Sequence, residues 1–225
     1  MPLFKVSSSK EAVADSSGAS YINASGIYDV TINYATFDVA ASGSESVNFN
    51  FDYNGNSQVI YGPYITGKDG QGLEIGQKLI NKLAVIAGMG EGDDFELEDE
   101  QHPVGKDQTM KDFKVITNFT DLPIKVRIQM EYGINPKNGE ISERKVIKSF
   151  FREDGASAEE IINDTEIGGR LKFETEKLAD NITYKDNLSP EDVASWKEAK
   201  KSGGTAPKPA AKAKVAPAAN TGLFK

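Results

Sequence analysis

One histidine, a Glu-Arg-Lys tripeptide, a run of acids and a Gly-rich turn are the residues in this chain that invite catalytic readings. His102 stands beside Pro103 in an acidic stretch, with no second His or any Cys to share a metal. It reads as a solvated loop residue rather than a base. Glu143-Arg144-Lys145 has the Glu-x-Lys spacing with which two carboxylates and a lysine hold magnesium and activate water. No Pro-Asp partner precedes it, so a charged strand face is the plainer reading. Residues 91–100 hold seven acids. They lack the ordered spacing and turn glycine of a calcium loop. They read as a solvated loop, or as a segment that lies over a basic groove when that groove is empty. Residues 67–76 are Gly-rich before a helix but lack the Lys-Ser/Thr ending of a phosphate loop. No catalytic residue, metal site or cofactor is predicted.

Binding chemistry is better represented. Lys125 and Arg127 share one face of a predicted strand, and Arg144 and Lys148 share a face of the next, with Lys145 opposite. A short turn joins these strands, so the sequence predicts charge gathered on one sheet, where it can follow a phosphate backbone. Tyr53, Tyr61 and Tyr64 lie on or beside a second hairpin, with Lys68 just beyond it. An exposed Tyr can stack on a base for about 1–3 kcal/mol. For each Tyr, barrel filling is the alternative; for each basic pair, an ordinary solvated face.

The elements that must position these residues follow from periodicity. Residues 27–39 are rich in Ile, Val, Thr and Tyr and read as a strand. In residues 46–53, Val47, Phe49, Phe51 and Tyr53 fall on one face, and Asn48, Asn50 and Asp52 on the other. Asn54-Gly55 marks a tight hairpin, and residues 58–65 return as a third strand, with a bulge or edge at Gly62-Pro63. The period then changes. Ile75, Leu79, Leu83 and Ile86 recur at helical spacing over 73–87, and Gly88 ends the helix. A weaker strand is predicted at 113–117, strong alternating strands at 124–132 and 141–152, and short helices at 157–162 and 189–201. Residues 165–188 are ambiguous.

This order of three strands, a helix and two strands predicts a mainly β fold with flanking helices. It is OB-fold-like: a five-stranded Greek-key barrel with a helix between strands 3 and 4. The expected domains are a flexible arm at 1–20, the barrel at 21–165, an acidic, partly helical extension at 166–201, and a disordered Ala/Pro/Lys tail at 202–225. The net charge of −8 is unevenly spread. Residues 106–148 carry nine bases against six acids, residues 153–198 thirteen acids against five bases, and the tail four Lys and no acid. With no Cys, no signal-like apolar run and no apolar stretch of spanning length, a cytoplasmic location without a membrane partner is expected.

The stretch Gly26-Ile27-Tyr28-Asp29-Val30-Thr31-Ile32, then Phe49-Asn50-Phe51 and the helix at 79–88, resembles the single-stranded-DNA-binding proteins of tailed bacteriophages. So do residues 121–127 (DLPIKVR) and 145–151 (KVIKSFF). The resemblance covers roughly residues 20–165 and consists of strand and turn patterns. It implies an OB-fold that coats single-stranded DNA in phage replication, recombination or repair. It also implies partners among replication or recombination proteins, and the basic and aromatic residues above as the DNA contacts. One departure is plain: many such proteins end in an acidic tail with a terminal aromatic, whereas this chain ends Gly222-Leu223-Phe224-Lys225 on a basic one. The alternative is a phage structural or interaction module without catalytic activity.

Overall fold

A computed structural model describes residues 21–105 and 107–202; the predicted arm and nearly all of the predicted tail lie outside the described residues. The described residues are mainly β, 42% strand against 24% helix. It forms two compact units, one from residues 21–129 and 146–180, the other from 130–145 and 181–202. The sequence takes 21–165 as one domain. Each unit draws on two stretches of chain, because two long strands each pass from one unit into the other.

The first unit begins with β1 (Gly26–Val39) and β2 (Glu45–Tyr53), which pair antiparallel. The expected third strand is two strands, β3 (Asn56–Ile60) and β4 (Tyr64–Thr66), each paired with β2. They are parted at Gly62-Pro63, where proline cannot donate to a ladder. Asn54 and Gly55 both take positive φ in the β2–β3 turn, the conformation for which Asn-Gly is favoured. Helix α1 (Glu74–Ile86) follows, then β5 (Leu97–Val104) and β6 (Thr109–Ile116), which form a two-stranded ribbon. The last four residues of the acidic stretch, 97–100, are therefore strand rather than loop. β7 (Leu122–Ile134) returns to β1, aligned from Gly26↔Ile128 to Ile32↔Leu122, and β8 (Ile141–Arg152) pairs with β7. Helices α2 (Ala158–Asn163) and α3 (Gly169–Lys177) complete this unit.

One edge of β1 is thus shared by β7 along its first half and by β6 further on, at Thr36↔Val115. Among the described strands β3 pairs with β2 alone, so the sheet is open, where a five-stranded, partly open Greek-key barrel is expected. The core is Val30, Ile32, Ala35, Val47, Phe49 and Phe51 of the sheet against Ile80, Leu83 and Ile86 of α1. Ile75, expected on the buried face of the helix, is 88% exposed; Gly76 takes that place.

The second unit holds the far end of β7 and the start of β8. To these it adds β9 (Ile182–Tyr184), parallel to β7, and helix α4 (Pro190–Lys201). Met130, Tyr132, Ile141, Leu188, Val193 and Trp196 form its core. α4 starts as its sequence dictates. The Ser189 hydroxyl accepts from the Asp192 backbone N–H, and the Asp192 carboxylate accepts from the Ser189 N–H. Replacing Ser189 with Ala is expected to cost about 1 kcal/mol, read as an earlier urea midpoint in Trp196 fluorescence. No described helix is long and apolar enough to cross a membrane.

Candidate functional site

The strand order decides which side chains leave the core. β1 carries a bulge: Ile32 pairs with Phe51 and Tyr34 with Asn50, so Asn33 is an extra residue on β1. An extra residue reverses the alternation of everything after it. Val30 and Ile32 face the core before the bulge, and Ala35 and Phe37 after it. Tyr34, Thr36 and Asp38 are thereby turned to the opposite face. There they meet Asn48 and Asn50 of β2, and Ser57, Val59 and Tyr61 on and after β3. The β5–β6 ribbon supplies the other wall with His102, Pro103, Lys111 and Phe113. The groove between them has a volume of about 870 Å³.

Its floor is a hydrogen-bonded amide network. Asn33 Nδ2 and Ser57 Oγ both donate to Asn50 Oδ1, at 2.8 and 2.6 Å. Asn50 Nδ2 donates to the Tyr34 hydroxyl at 3.1 Å. Thr36 Oγ1 and Asn48 Nδ2 donate to Asp38 Oδ2, and the Gly62 N–H donates to Asn48 Oδ1 at 2.8 Å. Burial raises the pKa of Tyr34 above that of a free phenol, against a smaller opposing effect from Asn50, so the ring stays neutral. The His102 ring lies on the Tyr34 ring, centroids 3.7 Å apart and planes 12° from parallel. Phe113 flanks both, at 6.4 Å from Tyr34 and 6.2 Å from His102. Tyr61, 77% exposed, stands at the rim. The wall is aromatic and amide-rich, and its described charges are Asp38, Asp121 and Lys111.

Only one of the nine sequence-predicted residues lines this groove: Tyr61. Tyr64 is exposed on β4, and Lys68 is exposed in the loop that follows. Tyr53 packs edge-on against Tyr28 at 5.3 Å, on the margin of the core. In the expected basic stripe, Arg127 and Lys125 each meet a carboxylate. Arg127 is buried, and its Nε donates to Glu174 Oε2 at 2.6 Å. Lys125 pairs with Asp29. Lys148 belongs to the first unit, whereas Arg144 and Lys145 belong to the second. Glu143, the acid of the Glu-x-Lys tripeptide, accepts a 2.8 Å hydrogen bond from the Tyr132 hydroxyl and lies 3.7 Å from Lys197 Nζ. Alternation along β7 and β8 is periodic and legible. Whether a face meets solvent, or meets a carboxylate from a distant helix, is not.

Sequence reasoning missed Tyr34, Asn50, His102 and Phe113. Asn50 carried a usable signal, since it alternates with Phe49 and Phe51 on the polar face of β2. His102, expected in a solvated loop, is on β5 with its side chain 21% exposed. Compared with known proteins, the chain matches no family model and no curated sequence.

Proposed function

We propose that this chain binds single-stranded DNA without catalysis or base-sequence selection, stacking bases along the groove between the β1–β3 face and the β5–β6 ribbon. The observation that carries this reading is the convergence of Tyr34, Phe113 and exposed Tyr61 on one groove, with the Tyr34 face already carrying a flat ring, that of His102. Aromatic faces accept any base. The floor amides are engaged within the floor, with Tyr34, Asp38, Ser57, the Gly62 N–H and one another, which leaves few groups to read base edges and favours sequence tolerance. The connectivity supports an OB-like reading of the fold: a β1–β2–β3 meander, a helix, then β7 returning to β1 with β8 beside it. Together with the resemblance to phage single-stranded-DNA-binding proteins, this points to work in replication, recombination or repair. The site of action would be the cytoplasm of a host cell, beside the enzymes of those processes.

The test is fluorescence anisotropy with labelled dT oligomers. Replacing Tyr34 or Tyr61 with Ala is expected to remove about 1–3 kcal/mol, a roughly 5- to 150-fold loss of affinity. No anisotropy change for the unaltered chain in low salt would refute the reading. Salt dependence sharpens it. The groove offers one lysine among its described lining, so few phosphates are neutralised there. Affinity is expected to fall by about seven-fold or less between roughly 50 and 200 mM salt, as for two phosphate contacts or fewer. The near-neutral groove also favours a second reading, a protein-interaction module. Its mark would be stable self-assembly with no DNA affinity.

A further inference from the structure

We propose that the His102 imidazole is a placeholder: it occupies the face of Tyr34 that a nucleobase takes in the bound state, and the β5–β6 ribbon moves aside to release it. The inference rests on the nucleic-acid reading above and adds a regulated subsite to it.

Three observations carry it. The first is the stack. At 3.7 Å and 12°, the His102 and Tyr34 rings lie closer and flatter than most aromatic pairs, which sit offset or edge-on at about 4.5–7 Å. This is the spacing of a planar heterocycle on a platform, and imidazole is the five-membered half of a purine. Tyr34 is held for that role. Its hydroxyl accepts from Asn50, and its phenol stays neutral, so the ring offers a π face rather than a charge.

The second is the ribbon's attachment. Its ladder to β1 is the single pair Thr36↔Val115. β5 has no strand on its outer edge. Along the described residues of 97–112, only Glu100, His102 and Val104 are even half-buried; the rest are exposed. Full burial begins at Val115 and Ile116, at the root. A two-stranded ribbon without a third strand is marginal alone, and a segment with few buried contacts opens locally at little cost. Beyond its root, the described ring contacts between the ribbon and the groove floor are those of His102 and Phe113 with Tyr34.

The third is how His102 is aimed. Glu100 Oε2 lies 2.9 Å from His102 Nε2 and holds the ring edge, so the imidazole face is left for Tyr34. Lys111 lies opposite His102 in the ribbon register. A base arriving at Tyr34 therefore competes with an internal flat ring for the same face, and displacing that ring frees the arm that forms one wall of the groove.

The test joins affinity to hydrogen exchange in the full chain. In His102→Ala, affinity for a labelled dT oligomer is expected to rise about three- to ten-fold, as the competing stack is lost. Tyr34→Ala should weaken binding whether or not His102 is present. Amides of 97–116 should exchange faster in His102→Ala than in the unaltered chain without any oligonucleotide. In the unaltered chain they should exchange faster once dT is bound. His102→Gln, which keeps polarity and removes the ring, repeats these results if the alanine variant folds poorly. Weaker binding by both variants, or a ribbon protected by dT, overturns the placeholder while leaving the binding reading intact. Absence of dT binding by the unaltered chain overturns both.

Discussion

Replacing Glu174 with Ala is expected to destabilise the first unit by about 3–5 kcal/mol, more than any substitution on the groove surface. Glu174 projects from α3 and its side chain is 1% exposed. Oε2 accepts from Arg127 Nε on β7 and from Ser149 Oγ on β8, both at 2.6 Å, and Oε1 accepts from Arg170 Nε at 2.7 Å. One carboxylate thus ties a helix to two strands. Its loss leaves the Arg127 guanidinium, itself 9% exposed, buried without a counter-charge. The cost is that uncompensated charge rather than the worth of one ion pair. A double variant separates the two. Arg127→Met with Glu174→Leu removes both buried charges and refills the space, and buried pairs replaced in this way are often neutral. Arg170 is half-exposed and reaches water. Urea unfolding followed by far-ultraviolet circular dichroism should show Glu174→Ala far below the unaltered chain and the double variant close to it. Equal loss in both would show that the network acts through direct attraction.

Replacing Gly76 with Ala is the second large effect, expected to cost about 3 kcal/mol, the upper end for overpacking. In an ordinary helix the same change would stabilise by about 1 kcal/mol. The sign reverses because α1 packs its first turn directly on β4. A Cβ at Gly76 would lie 1.8 Å from the Tyr64 carbonyl oxygen and 2.8 Å from its carbonyl carbon. Neither is a flexible side-chain end, so the helix or the strand has to move. The neighbour Ile75 provides the control: at 88% exposed, its replacement by Ala is expected to stay within about 0.5 kcal/mol. Moving β4 also moves Tyr64, which pairs with Ser46 of β2. Denaturation midpoints for the two variants decide the matter, and a stable Gly76→Ala would mean that α1 stands off from β4.

The Ile75 and Gly76 exchange shows where periodicity stops. Leu79, Leu83 and Ile86 do face the core, as their spacing requires. Spacing identifies a face but not how near its partner comes. Where the helix touches a strand backbone, a side chain has no room and the apolar residue beside it turns outward.

The sequence alone determined what depends on neighbours a few residues apart. The alternation of Phe49 and Phe51 with Asn48 and Asn50, the Asn54-Gly55 turn, the Ser189 cap and the return strands at 124–132 and 141–152 all follow from local sterics and a fixed period. The tertiary structure alone decided the rest. Arg127 reads as surface charge until Glu174, 47 residues on, covers it. Tyr34 reads as one more residue of a roughly alternating strand until the bulge at Asn33 turns it from the core to the groove. His102 reads as solvated until the ribbon lays it on Tyr34. In each case the partner is set by strand pairing or helix docking across long stretches of chain, and no local pattern records the pairing of residues that meet only after folding.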